Sequence, residues 1–148
     1  KKIDSVPTMA IFQYHDIGVE VDSIPQFYLL SAFNGRMRNR AKHFSSLPLA
    51  LAAMQASKVD AVMGLRSQIT HYQHQLDANT YQLATNAFPM IGQQQWDLGI
   101  AVKKDYRQLS YAVADIVEAM IKKGLMKKIF TQYHAHYQAP SLYSELSD

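Results

Sequence analysis

The chain contains no cysteine. That removes disulfides, thiolate metal sites and cysteine nucleophiles, and leaves only Ser or Thr for nucleophilic chemistry. Also missing are a G-x-S-x-G elbow, a P-loop, a G-x-G-x-x-G turn and an H-E-x-x-H pair, so no familiar catalytic or phosphate-cradling motif is in place. No apolar run approaches the roughly 18 residues that span a bilayer. Lys1-Lys2 is followed by Ile3-Asp4-Ser5 rather than an apolar core, so no secretory leader is read at this end. Repeats and low-complexity segments are absent too. What is present fits a globular domain: 148 residues, 48% hydrophobic and 18% charged, enough for one core and short for two. The net charge of +3 implies a polyanion partner only where it is concentrated.

The most informative stretch runs from Phe44 to Thr70, FSSLPLALAAMQASKVDAVMGLRSQIT. Ser45 and Ser46 are good N-cap residues, and Pro48 fits a first helical turn, where no N–H is needed. Leu47, Leu51 and Met54 follow at helical spacing among slim alanines, which predicts a helix over Leu47–Ser57. Val59–Met63, VDAVM, is apolar and β-branched enough for a short buried strand. Gly64 ends it, and Ser67 can cap a helix over Ser67–Leu76. Helix, buried strand and helix with tight joins predict an α/β fold with a parallel-rich sheet flanked by helices.

Elsewhere, Met9–His15 is the first strand candidate, broken by Asp16-Ile17-Gly18. Gly18–Asp22 reads as a short strand or an extended loop. Ser23-Ile24-Pro25 opens an apolar helix through Phe33, stopped by Asn34-Gly35. Tyr81–Thr85 and Trp96–Val102 are further strands, separated by the polar connection Ile91–Gln95. Asp105 can cap a helix whose Leu109, Val113, Ile116, Val117 and Met120 form an apolar stripe. Lys122-Lys123-Gly124 ends that helix, with both cations at the favourable end of its dipole. A last helix runs from Leu125 through Ile129, Phe130 and Tyr133. The expected organisation is one domain over residues 1–138 and a polar tail over residues 139–148.

Arg36–His43, RMRNRAKH, is the most basic stretch. It reads either as a solvated edge strand whose charges block sheet-to-sheet pairing, or as a polyanion or nucleic-acid surface. The second reading would need aromatic or helix-terminal neighbours that the sequence does not show. His71 and His74 lie three apart, and His134 and His136 two apart, with no carboxylate at ligand spacing beside either pair. No metal, cofactor or catalytic residue is therefore expected. In parallel sheets, ligands bind beyond the carboxyl ends of strands, where helix N-termini point free N–H groups at them. That nominates Tyr14, His15 and Asp16 after the first strand, and Gly64, Leu65, Arg66 and Ser67 after VDAVM.

Two segments carry a resemblance. SSLPLALAAMQASKVDAVMGL, and later LGIAVKKD with IKKGLMKKIF, resemble the extracellular solute-binding proteins, family 3, that serve polar amino-acid ABC transporters. The likeness covers roughly Phe44 to Tyr137. It implies one lobe of a two-lobed periplasmic binding protein of type II, plus its closing segment. The implied function is non-catalytic: capture of a small polar or anionic solute, presented to an ABC permease or membrane receptor. A second lobe or second copy of the chain would complete the cleft, and no nucleic acid would be involved. In such relatives the strand end after VDAV usually carries an acidic residue for the ligand's ammonium. Here the position is Leu65, which cannot hold an ammonium, with Arg66 beside it. Arg66 reads either as favouring an acidic ligand or as a solvated charge.

Overall fold

The computed structural model describes residues 13–84 and 97–146. Met9–Phe12 of the expected first strand, Thr85, the connection Ile91–Gln95 and Trp96 lie outside them. The chain divides into two compact units, Lys1–Gln94 and Gln95–Asp148.

The first unit is an α/β layer built on three parallel strands, β1 (Ile17–Glu20), β2 (Ala41–Phe44) and β3 (Ala61–Met63), in the order β2-β1-β3. Ile17 pairs with Ala41 on one side and with Ala61 on the other. Parallel neighbours need long crossovers, and helices supply them. The links are α1 (Ile24–Ser31) between β1 and β2, and α2 (Leu47–Gln55) between β2 and β3, with α3 (Arg66–Gln73) following β3. Strand alternation sorts the two faces of β1. Ile17 and Val19 point into a core of Tyr28, Leu29, Ala32, Met37 and Ala41. Gly18 faces the other way, where a Cβ would lie 3.4 Å from the Cβ of Ala50 on α2, 3.2 Å from Phe44 and 3.3 Å from Val59. So α1 and α2 cover opposite faces, and a Cβ at position 18 would crowd Phe44 and Val59 and meet Ala50 of α2 at contact distance.

The helix ends follow from local chemistry. Ser23 caps α1: its Oγ accepts from the Gln26 N–H at 3.3 Å and donates to the Glu20 carbonyl at 2.6 Å. At the end of α1 the chain enters a tight turn in which Phe33, Asn34 and Gly35 all take positive φ, so the Asn34-Gly35 stop works through left-handed backbone. After α2, Lys58 N–H bonds to the Ala53 carbonyl at 2.8 Å and Ser57 N–H to Met54 at 3.0 Å. This paired pattern is a Schellman motif with Ser57 in its left-handed position, at φ 56°.

Several expected elements differ. The buried strand expected over Val59–Met63 narrows to Ala61–Met63, three half-buried residues, with Val59 buried ahead of it and Asp60 exposed. Gln13-Tyr14 sit in a 3-10 turn. The first strand is Ile17–Glu20, which overlaps the extended reading of Gly18–Asp22 and is defined by its pairing with β2 and β3. Tyr81–Ala84 is irregular, following a turn in which Asp77 accepts from the Asn79 N–H and the Thr80 hydroxyl. Those bonds hold the Asp77 carboxyl below its ordinary range. Asp97–Val102 pairs with no strand among the described residues, and Leu98 is 94% exposed.

The second unit is a helical hairpin of α4 (Arg107–Lys122) and α5 (Leu125–Gln132), turned at Gly124 with φ 66°. Ile121 is its one buried hydrophobic residue among those described. Phe130 packs edge-on against Tyr137 with ring centroids 5.2 Å apart. Asp97 accepts from both the backbone N–H and the hydroxyl of Ser141, so part of the expected tail belongs to this unit.

Two outcomes are expected. Ser57→Gly removes the Cβ penalty of the left-handed position and should raise the unfolding free energy by about 0.5–1 kcal/mol, read from the urea midpoint at unchanged slope. Burial pushes the Tyr28 hydroxyl above its ordinary value. Its folded-state pKa is therefore raised, so its contribution is complete below the ordinary tyrosine value and is lost as pH rises past it. Urea unfolding from about pH 8 to about pH 11 should show stability falling, and Tyr28→Phe should flatten that fall.

Candidate functional site

The sheet has two ends, and the nominated residues divide between them. At the carboxyl end, β1 runs into Val21, Asp22 and the α1 cap Ser23, β2 into Ser45 and Ser46, and β3 into Gly64, Leu65, Arg66 and Ser67. The chain leaves β1 toward β2 on one side, then crosses back over to β3 on the other. The carboxyl ends of β1 and β3 therefore flank a topological switch point, the crevice where open parallel sheets take ligands. Helices α1, α2 and α3 all begin at this edge, presenting the positive ends of their dipoles.

Gly64 shapes the crevice wall. A Cβ there would come within 3.0 Å of both Leu47 on α2 and Ile69 on α3, so glycine keeps these two helix starts close together. Helix α3 opens at Arg66 rather than at Ser67, because the Gln68 side chain accepts from the Leu65 N–H at 3.2 Å and sets the helix start earlier. Ser67 thus lies inside the first turn and does not cap it. Leu65 and Arg66 are exposed, and Arg66 forms no ion pair among the described residues. Ser46 occupies the α2 cap position with its hydroxyl not engaged in capping. The edge thus offers two serine hydroxyls, a guanidinium and helix-terminal N–H groups, a set suited to an anionic or polar group.

Tyr14, His15 and Asp16 are at the opposite, amino end, since they precede β1 instead of following a strand. His15 and Asp16 take part in a clasp across all three strands, while Tyr14 stands exposed beside it. The Asp16 carbonyl accepts from the Asp60 N–H at 2.9 Å, and the Asp60 carboxylate accepts from the Asp16 N–H at 3.1 Å. His15 Nδ1 lies 3.3 Å from the same carboxylate. The Asp16 carboxylate in turn meets Arg40 at 3.4 Å and Lys42 at 3.5 Å. Sequence reasoning missed Asp60, although an acid inside the otherwise apolar VDAVM run was a signal that its side chain had a partner. No group of three or more His, Asp or Glu gathers closely enough to hold a metal ion among the described residues. His71 and His74 meet edge-on at 6.1 Å.

Comparisons with protein-family models, with curated proteins and with solved structures find no match to this chain.

Asp60→Ala deletes the acceptor shared by Asp16 and His15. Because the Asp60 side chain is more than half exposed, the expected loss is about 1 kcal/mol by chemical denaturation, with Asp60→Asn recovering part of it.

Proposed function

We propose that the first unit is a non-catalytic solute-binding lobe that takes a small polar or anionic solute at the carboxyl ends of its strands. The observation that carries the reading is the switch point between β1 and β3, where Arg66 stands exposed beside Leu65 at the start of α3. The resemblance of SSLPLALAAMQASKVDAVMGL to the family 3 extracellular solute-binding proteins supports it. Slim helix α2 and strand β3 lie in the order which that likeness implies. On this reading the protein is periplasmic, of the type II binding-protein form. It presents its solute to an ABC permease or a membrane receptor, with a second lobe or second copy closing the cleft.

Leu65 decides the ligand class. A leucine cannot pair with an ammonium, and leaving that charge desolvated and unpartnered costs several kcal/mol. A carboxylate or phosphate meets Arg66 and the α3 N–H groups instead. Calorimetric titration with amino acids, dicarboxylates and other small anions tests this. A dicarboxylate or comparable anion should bind, and Arg66→Ala should weaken it by about tenfold or more. Tight binding of a neutral or basic amino acid, indifferent to Arg66→Ala, would refute the assignment.

A further inference from the structure

We propose a second site, separate from the solute crevice, on the amino end of the sheet: a face that binds single-stranded nucleic acid. The basic stretch Arg36–Lys42 lacked an aromatic neighbour in the sequence, and the fold provides one. Arg40 Nε donates to the Gln13 carbonyl at 3.2 Å, which ties the basic turn to the turn that carries Tyr14. The Tyr14 ring is 76% exposed and has no hydrogen bond or ring contact among the described residues.

The charge here is concentrated. From Ser23 to Val59 the chain carries no Asp or Glu, and one carboxylate, Asp16, is shared between Arg40 and Lys42. Arg36 has no partner among the described residues, and Arg38 makes only a long contact, 3.5 Å, to the Leu30 carbonyl. All four cations are exposed.

The apolar residues discriminate among anionic partners. Docking to a protein or insertion into a lipid surface needs exposed apolar side chains at the centre of the patch. Within Arg36–Lys42 the apolar side chains are Met37 and Ala41, and both are buried. What this face presents is three guanidinium groups, one ammonium and the Tyr14 ring, set against the Asp16 and Asp60 carboxylates. The cations outnumber the acids, and guanidinium with an exposed ring is the combination that tracks a phosphodiester backbone and stacks an unpaired base.

The test is fluorescence anisotropy of the full chain with a fluorescein-labelled oligothymidylate of about 20 nucleotides. With about three phosphates neutralised, raising salt from about 50 mM to about 200 mM should weaken binding about 20-fold. Arg36→Gln with Arg38→Gln should reduce the salt slope to about a third. Tyr14→Ala should weaken binding about fivefold or more, with at least partial recovery in Tyr14→Trp. All three positions are exposed, so thermal unfolding should be unchanged in each variant. Binding that ignores the paired arginine substitutions overturns the site, as does the absence of salt-dependent binding. If Tyr14→Ala binds as well as the parent and inorganic polyphosphate competes equally, the face is a plain charge contact and the nucleic-acid assignment falls.

Discussion

The approach of α2 to the central strand is the constraint on which the first unit depends. At its centre is the bare α-carbon of Gly18, where a side chain would crowd Phe44 and Val59 and touch Ala50. With α2 seated there, β1 is covered on both faces and the crossover from β2 to β3 is short enough to close. Leu47 and Ile69 close over Gly64 in a similar way. Two bare α-carbons thus mark the close approaches of this layer, Gly18 on the central strand and Gly64 just beyond β3.

Those two contacts explain what could be read from the residues alone. Pro48, the alanine-rich run and VDAVM have strong local preferences that agree with their tertiary roles, so α2, β3 and the parallel α/β character were legible. The stop at Asn34-Gly35 and the end of α4 at Gly124 were legible for the same reason. Gly18 was misread as a breaker because its function is a tertiary close approach, invisible to periodicity. That shifted the first strand toward the N-terminus and carried Tyr14, His15 and Asp16 to the wrong end of the sheet. Asp97–Val102 has strand-like composition, yet composition cannot supply the hydrogen-bonding edge that a strand requires.

The two ends of the sheet differ chemically. The carboxyl edge is organised by backbone, with helix starts, a glycine and two serines around one free guanidinium. The amino edge is organised by side chains, with two aspartates holding a histidine, an arginine and a lysine across three strands. Backbone dipoles are fixed in place and favour a small ligand held in one pose, whereas long exposed side chains adapt to an extended partner. One sheet thus has an end built from backbone and an end built from side chains.

The sharing of Asp16 between Arg40 and Lys42 has a consequence for what those cations can be offered. A carboxylate held on the same fold is a tethered competitor, present at an effective concentration of order millimolar or higher. A dilute monovalent anion cannot displace it, since it brings one charge against a rival that never diffuses away. A polymer that first engages Arg36 and Arg38 arrives tethered as well, and its next charged group competes on equal terms. On the proposed nucleic-acid face, a carboxylate held in this way favours a multivalent partner over a dilute single ion.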